Sequence, residues 1–204
     1  AERDIALKTA IPIQKIAMGE LDDNDWDKIA QATGEISEEP LYLKTGKLTA
    51  SGLEGFCRQM FHNTGLDLLV IDYLQLLADV KGGTENERVG YISHTIKHIS
   101  SEIGCAVLCA SQLSRKAEYR DDKRPQLQDL RDSVSIEQDA DFVLGLHRDD
   151  TQGQTEDEEE VKGRKSYKPL GKGVAELAIL KHRQWGVADR IRLIWLEKWR
   201  KYAE

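Results

Sequence analysis

Residues 66–77 read LDLLVIDYLQLL. Of all the runs in this 204-residue chain, this one gives the strongest indication of the fold. Gly65 precedes the run, and Asp67 is its only polar residue before Asp72. A nearly unbroken apolar run of this length favours a strand covered on both faces, as in a parallel sheet. We therefore predict a buried strand over 66–71 that delivers Asp72 at its carboxyl end.

Helical patterns and further apolar runs alternate on both sides of this strand. Before it, the first 40 or so residues are typical of short helices, and Ser51-x-x-Glu54 is typical of a capping box. After it, Gly104 ends a helical repeat of apolar residues formed by Val89, Ile92, Ile96, Ile99 and Ile103. Shorter apolar runs predict strands at 41–43, 106–110, 142–146, 174–180 and 191–196, the last two as an antiparallel pair at the sheet edge. This alternation predicts an α/β fold with a mainly parallel sheet.

The composition is that of an ordinary globular protein, with 40% apolar and 32% charged residues. Neither an apolar run long enough to span a bilayer nor a charged-then-apolar leader is visible, so we expect no membrane partner. Three cysteines without metal-site spacing suit a reducing compartment, and we expect a cytoplasmic protein.

The net charge of −7 by itself argues against a nucleic-acid partner. The charge is nevertheless unevenly distributed. Residues 149–173 are rich in acidic and basic side chains and poor in large apolar ones, which predicts a flexible charged loop. Residues 174–204 carry more basic than acidic side chains. The overall acidity therefore does not exclude a local phosphate-binding surface.

Polar residues follow two of the predicted parallel strands where ligands bind in open α/β sheets. Asp72, after four apolar residues, suits a carboxylate that holds Mg²⁺ through water at a nucleotide site. It suits a helix N-cap about equally well. Gln112 follows the next strand, where a glutamine can hydrogen-bond a terminal phosphate, although this signal is weak alone.

Taken together, several segments in order resemble the C-terminal RecA-like motor domain of DnaB-type bacterial replicative DNA helicases. They are GELDDNDW (19–26), DLLVIDYLQLL (67–77), SQLSR (111–115), KRPQLQDLRDSVSIEQDADFVLGLHRD (123–149) and ELAILKHRQWG (176–186). The resemblance covers nearly the whole chain, and DYLQL with SIEQDAD is its most specific part. It implies a RecA-like P-loop NTPase fold, ATP and Mg²⁺ as cofactors, and translocation on single-stranded DNA by a hexameric ring, with primase or a helicase loader as further partners.

The resemblance assigns roles to individual residues. Asp72 is similar to the Mg²⁺-associated carboxylate and Gln112 to the γ-phosphate sensor. Lys181 and Arg183 are similar to the basic pair that reaches into a neighbouring subunit's ATP site, where a guanidinium stabilises charge on the transferred phosphoryl group. Without the resemblance, basic residues at a strand end are most simply solvated.

The resemblance also implies a DNA-binding loop at Arg131, Asp132 and Val134, where Arg131 and backbone amides would follow phosphates along the central channel. The family usually has Glu and Gly where this chain has Asp132 and Val134. Valine does not permit the positive φ that glycine allows. A nearby basic stretch, 115–124, is equally compatible with further phosphate contacts and with an ordinary surface.

No GxxxxGK[ST] phosphate loop occurs in these 204 residues. We therefore expect a motor-domain fold that lacks its first strand and phosphate loop, and a chain that does not hydrolyse ATP alone. The alternative is a non-catalytic truncated helicase module that docks on an intact helicase or its loader. A recombinase-type or clock-type RecA-fold ATPase is disfavoured by the DYLQL and SIEQDAD segments.

Overall fold

The computed structural model describes residues 2–77, 83–114, 117, 119–120, 122–130, 134–149, 170–184 and 190–203. The chain divides into two compact units. The first unit comprises 1–44, 148–177 and 191–204, and the second comprises 45–147 and 178–190. Strands β3 (Phe142–Arg148) and β4 (Val174–His182) each contribute to both.

The second unit contains the strand that the sequence predicts at 66–71. Helix α4 (Ala50–Thr64) leads to β1 (Leu68–Ile71), and helix α5 (Glu85–Ile103) leads to β2 (Ala106–Cys109). Strands β1 and β2 are parallel, with Leu68 opposite Ala106 and Ile71 opposite Cys109. The predicted βαβ arrangement is therefore confirmed at this point of the chain.

The hydrophobic core of the second unit lies on one face of the β1–β2 pair. Its fully buried side chains include Val89, Ile92 and Ile99 of α5 and Cys57 of α4. Ile71 and Leu53 belong to the same cluster. The isoleucine stripe read from the sequence is thus the core face of α5.

The prediction that β1 is covered on both faces is wrong for the described residues. Leu68 and Val70 are 54% and 59% exposed, and Leu108 of β2 is 57% exposed. The register places Val70 beside Leu108, so these side chains share one sheet face. Helices α4 and α5 cover only the opposite face, and no other described segment buries this one.

The start of α4 also differs from the expectation. Thr49, not Ser51, is the N-cap, and its Oγ1 accepts a hydrogen bond from the Gly52 amide at 3.0 Å. Ser51 therefore lies inside the helix, and Glu54 pairs with Arg58 at 2.8 Å instead of closing a capping box. Two hydroxyl residues in close succession explain the error, since either can cap a helix.

Strand β4 lies beside β3 in a sheet of order β3-β4-β5-β6, where β5 is Arg190–Leu196 and β6 is Lys201–Ala203. Phe142 stacks edge-on against His182, and a side chain at Gly145 would meet Leu180 at 2.9 Å. Because the numbering rises along β3 as it falls along β4, these two strands are antiparallel. The β5–β6 pair is also antiparallel.

The first unit contains helices α1 (Glu2–Thr9), α2 (Ile13–Met18) and α3 (Asp23–Glu38), in agreement with the predicted short helices. Asp22 caps α3 in a capping box with Asp25. The Trp199 indole donates to the Ala10 carbonyl at 2.8 Å.

Residues 41–43 are not a strand. Their side chains are more than half exposed, and Leu41 donates to the Glu39 carbonyl instead of to a partner strand. Of the predicted loop 149–173, residues 150–169 lie outside the described part of the chain. Every described helix is too short or too polar to cross a membrane.

Candidate functional site

The parallel pair β1–β2 brings two of the predicted site residues to one edge. The Ala110 amide donates to the Ile71 carbonyl, and the Leu74 amide donates to the Ala110 carbonyl, both at 2.9 Å. Both strands therefore end at the same level. Asp72 and Gln112 leave the carboxyl ends of adjacent strands, as expected of a ligand site in a parallel sheet.

Asp72 does not cap a helix, so the N-cap alternative that the sequence left open is wrong. The short 3₁₀ turn that follows, Leu74–Leu76, begins after Tyr73 and has no side-chain cap. Asp72 is exposed, and its carboxylate has no hydrogen-bond partner among the described residues. An exposed carboxylate at this position is available to a cation.

Gln75 is a site residue that the sequence analysis missed. Its Nε2 donates to the Ser111 hydroxyl and its Oε1 accepts from the Gln112 amide, each at 3.1 Å. The side chain thus connects the segment after β1 to the segment after β2. Its place in DYLQL was visible, but a contact across 37 positions has no signature in local sequence.

The residues around Gln112 form an open cleft of about 190 Å³. Gln75, Ser111 and Ser114 line it together with the start of α5 and the 3₁₀ turn Leu127–Asp129. Carboxylate oxygen is the ligand that Mg²⁺ prefers, and an amide can donate to phosphate oxygen. The chemistry of Asp72 and Gln112 fits the metal and terminal-phosphate end of a nucleotide, although Asp72 is not among the described residues that line this cleft. No phosphate cradle occurs among the lining residues.

Lys181 and Arg183 lie at a second place in the same unit, at the carboxyl end of β4. Lys181 Nζ donates to the carbonyls of Glu137 and Ala140, the latter at 2.9 Å. Arg183 Nη2 donates to the Gln138 carbonyl at 2.8 Å. These carbonyls belong to the last turn of helix α6 (Val134–Asp139) and the residue after it. The basic pair is thus engaged within the chain, not simply solvated.

Asp141 completes this second group. One carboxylate oxygen accepts from Lys97 Nζ, and the other pairs with Arg183 Nη1, both at 2.8 Å. The hydrogen bond from Lys97, followed by the charges of Lys97, Arg183 and Lys181, lowers the pKa of Asp141 below its ordinary value. Asp141 therefore stays ionised between two cations. It borders a second cleft, of about 220 Å³, with Phe142, His182 and Arg183.

Of the predicted DNA-binding residues, Arg131 and Asp132 lie outside the described part of the chain. Val134 is the first residue of α6 and is 72% exposed. It has no positive φ, so valine is unstrained there.

The structure describes part of the basic stretch 115–124. Arg120 forms a two-pronged pair with the buried carboxylate of Asp129: Nη1 donates to Oδ1 at 2.8 Å and Nη2 donates to Oδ2 at 2.6 Å. Arg120 Nη2 also donates to the Arg124 carbonyl. Asp129 is only 3% exposed. Arg120 therefore fixes the 3₁₀ turn ahead of the predicted DNA loop. Residues 115 and 116 are outside the described part.

Helix α6 is also anchored to α5 through a contact that the sequence did not reveal. Ser93 donates to an Asp139 carboxylate oxygen at 2.6 Å, and His94 Nδ1 lies 2.8 Å from the same oxygen. Ser93 is buried although it is polar. A serine directly after Ile92 of the isoleucine stripe is the signal that the sequence offered.

Comparison with known proteins gives one consistent result. The family model described as the DnaB-like helicase C-terminal domain matches residues 1–204. A replicative DNA helicase DnaB from Geobacillus stearothermophilus is 34% identical over 196 residues, which are 95% of this chain and 40% of that protein. The replicative DNA helicase DnaC of Bacillus subtilis is 40% identical over 143 residues, 69% of this chain and 32% of that protein.

Two solved structures share the fold. One, of a DnaB-like replicative helicase and its interactions with primase, has a TM-score of 0.82 at 31% identity and covers 98% of this chain and 46% of that one. The ATPase domain of G40P also has a TM-score of 0.82, at 32% identity, with 98% and 68% covered. These likenesses confirm the predicted RecA-like α/β fold.

The chain spans two fifths or less of the length of these curated relatives. The match nevertheless extends over essentially all of the chain in the family model and in both structures. This protein belongs to the DnaB-like helicase C-terminal domain family.

Proposed function

We propose that this chain is part of the motor domain of an ATP-dependent replicative DNA helicase that moves along single-stranded DNA. One observation carries the proposal. Exposed Asp72 directly follows β1, and exposed Gln112 lies in the segment after the adjacent parallel strand β2. Gln75 hydrogen-bonds to Ser111 and Gln112 and so connects the two segments. Asp72 would hold Mg²⁺, directly or through water, and Gln112 would contact the terminal phosphate.

Mg²⁺ supplies charge neutralisation on the phosphates when it is bound. The chain's own contribution is to hold the Gln112 backbone through Gln75, in the segment after the strand next to β1. The Gln112 amide donates to Gln75, so the Gln112 backbone is held in one place after β2. A fixed backbone favours the positioning of a terminal phosphate by the Gln112 side chain.

The phosphate cradle must come from residues outside these 204, since the sequence contains no GxxxxGK[ST]. Positioning and charge stabilisation account for most phosphoryl-transfer catalysis. We therefore expect the isolated chain not to hydrolyse ATP. Steady-state ATPase assays on the parent, Asp72→Ala and Asp67→Ala test this. Asp67 lies at the opposite end of β1 and is also exposed, so it is the matched control.

Robust hydrolysis by the parent contradicts the expectation, and the two variants show whether it depends on Asp72. Robust hydrolysis by the parent and Asp67→Ala, lost in Asp72→Ala, would mean that these residues alone complete the site. Equal background in all three proteins is the expected result.

Lys181 and Arg183 would act on ATP bound by a neighbouring subunit of a hexameric ring. Their position away from Asp72 supports this, because neither contacts the described residues around Gln112. Fingers of this kind contribute about 10³-fold or more to rate. One solved relative is described with its primase interactions, so primase is a candidate partner here, together with a helicase loader. The place of action would be the cytoplasm.

The DNA-binding part of the proposal rests on residues 131–134, which lead into α6. Fluorescence anisotropy with a labelled oligo-dT strand, measured for the parent, Arg131→Ala and Lys47→Ala, tests it. Lys47 is an exposed lysine of the same unit and serves as the charge-matched control. We expect weaker binding for Arg131→Ala only, with the salt slope reduced by about 0.7. Equal affinity of Arg131→Ala and the parent would refute the channel assignment.

A non-catalytic role is the second candidate. In that case the chain would dock on an intact helicase or its loader. The genomic region directly upstream separates the two. A reading frame encoding a phosphate loop there supports a split or truncated enzyme, and its absence supports a binding module.

A further inference from the structure

Helices α4 and α5 bring three side chains with metal-binding chemistry together at the surface of the second unit. Glu54 lies on α4, and His98 and Glu102 lie one turn apart on α5. A ligand atom from each lies within 4.8 Å of those from the other two. None of the three is among the described residues that line the cleft around Gln112 or the cleft beside Asp141. The cluster is therefore separate from the groups described above.

The distances within the cluster suit a small tetrahedral ion. His98 Nδ1 lies 3.6 Å from Glu102 Oε2 and 3.8 Å from Glu54 Oε1. Zinc bonds of about 2.0–2.2 Å in tetrahedral arrangement place neighbouring ligand atoms about 3.4 Å apart. Small movements of the side chains would therefore bring the three atoms onto one ion.

The ligand types distinguish among metals. Mg²⁺ and Ca²⁺ take oxygen ligands, whereas an imidazole nitrogen with two carboxylates suits zinc and the neighbouring transition metals. Three protein ligands also leave the fourth tetrahedral position to water. The cluster thus favours an ion of the Zn²⁺ class and differs from the all-oxygen chemistry that we assign to Asp72.

The hydrophobic core holds the backbone of the ligands in place. Leu53 and Cys57, on either side of Glu54 in α4, are buried in the same core cluster as Ile99, which directly follows His98. Ligands on packed helices keep their spacing better than ligands on loops. An ion bound by these side chains would cross-link α4 to α5.

Arg58 binds the same two carboxylate oxygens. Its Nη2 lies 2.8 Å from Glu54 Oε1 and 2.9 Å from Glu102 Oε2, the two oxygens nearest His98 Nδ1 in the ion pairs above. A metal ion on these oxygens would displace the guanidinium, because two cations beside one pair of oxygens repel each other. The Arg58 side chain is 48% exposed, and exposed ion pairs are weak, so it can turn into solvent.

We propose that Glu54, His98 and Glu102 form a binding site for an ion of the Zn²⁺ class that cross-links α4 to α5, and that Arg58 competes with this ion for the two carboxylates. The site goes beyond the proposed function and does not depend on it. Because the ion binds side chains that only the folded chain brings together, it stabilises the second unit by mass action.

His94 offers a different partner to a metal on His98. The two histidines are one turn apart on α5, a spacing at which two imidazoles can share a zinc ion. The structure favours the two glutamates instead, because His94 Nδ1 lies 2.8 Å from a carboxylate oxygen of Asp139. His94→Ala is therefore the matched control, since it removes a histidine of the same helix but no proposed ligand.

Isothermal titration calorimetry with Zn²⁺ on the chelator-treated, reduced 204-residue chain tests the site. We expect one tightly bound ion in the parent, in His94→Ala and in Asp72→Ala. Loss of a ligand should weaken binding about tenfold or more. The variants for this comparison are His98→Ala, Glu54→Gln and Glu102→Gln.

Arg58→Gln tests the competition. If Arg58 only organised the two carboxylates, its removal would weaken zinc binding. Competition predicts the opposite, namely binding about threefold to tenfold tighter, because the ion no longer has to displace two exposed ion pairs. Equal or weaker binding by Arg58→Gln would refute the competition.

Two other outcomes of the titration overturn the site itself. Equal zinc affinity in the parent and in every ligand variant would mean an adventitious ion only. Loss of binding in both His94→Ala and His98→Ala, with full binding in Glu54→Gln, would assign the ion to the two histidines. Retained binding in Asp72→Ala keeps the result separate from the nucleotide site, whose failure would leave this one standing.

Cobalt absorption gives a second readout that needs no variant. Co²⁺ bound to the parent should show the visible bands of a tetrahedral site without the sulfur-to-cobalt absorption of a thiolate ligand. Zn²⁺ should then displace it with loss of these bands. Strong sulfur-to-cobalt absorption would place the ion on a cysteine, and no binding of either ion by the parent would exclude the site; both results overturn the proposal.

Discussion

Gln75 Oε1 accepts a hydrogen bond from the Gln112 amide at 3.1 Å, across 37 positions of sequence. This bond and the one from Gln75 Nε2 to Ser111 fasten the carboxyl end of β1 to that of β2. The strands are hydrogen-bonded along their length, so Gln75 extends their pairing into the loops. It thereby defines the relative position of the two residues that we assign to the nucleotide.

Replacing Gln75 by alanine removes both bonds. We expect Gln75→Ala to lower the free energy of unfolding by about 1–2 kcal/mol, since each net hydrogen bond contributes about 1 kcal/mol. Urea denaturation followed by circular dichroism measures this. Gln59→Ala, at an exposed site on α4, is the control and should change stability very little. Equal stability of the two variants would show that the link contributes nothing.

Among the described ion pairs of the second unit, we expect the Arg120–Asp129 fork to contribute most to stability. Arg120→Ala leaves the buried Asp129 carboxylate without its partner, which should cost about 3 kcal/mol. Arg58→Ala removes a solvent-exposed pair and should cost much less. Urea midpoints of the two variants provide the comparison. A smaller loss for Arg120→Ala than for Arg58→Ala would contradict the structural role of the fork.

Burial raises the pKa of Cys57 and of Cys109 to about 11. At about pH 8 roughly one thiol in a thousand is then ionised, and the thiolate is the reactive form. We expect slow labelling of the folded chain by a thiol reagent, faster labelling as the pH approaches 11, and rapid labelling of all three cysteines in urea. Rapid stoichiometric labelling of the folded chain at pH 8 would show that these thiols are accessible.

Acid should weaken the first unit through Asp25, which is buried against Lys15. The hydrogen bond from Lys15 lowers the pKa of Asp25 below its unfolded value. A carboxyl with a lowered folded pKa stabilises the fold above the unfolded pKa of about 3.9, and this contribution is lost as the pH falls through the folded value.

Urea denaturation of the parent and Asp25→Asn at a series of pH values between about 6 and 2 measures this contribution. The difference between the two proteins should be largest near neutral pH and shrink in acid. A constant difference over the whole range would mean that Asp25 does not titrate with folding.

The spacing of apolar residues and the positions of glycines were sufficient to predict the helix and strands that build the site. The isoleucine spacing located α5 and its end before Gly104, and apolar runs located β1 and β2 within two residues. These features are local, because propensity and amphipathic spacing act within a few residues. The same local information placed Asp72 and Gln112 at strand ends.

Long-range contacts were the part that local patterns could not supply. Nothing near Lys181 or Arg183 in sequence shows that they lie on α6, about 44 positions earlier. The exposed face of β1 was likewise missed, because an apolar run does not reveal whether helices cover one face or both. Only the resemblance to DnaB-type helicases, and not the residue pattern, indicated a role for Lys181 and Arg183.

Paramagnetic broadening by Mn²⁺ shows whether Asp72 and Gln112 form one metal and phosphate site. Trace Mn²⁺ with ATP is added to the labelled chain, and amide signals are compared among the parent, Asp72→Ala and Asp67→Ala. We predict selective broadening at Asp72, Ser111 and Gln112 in the parent and Asp67→Ala, and its loss in Asp72→Ala. Broadening that is unchanged in Asp72→Ala, or centred on Glu54, His98 and Glu102 instead, would contradict the assignment.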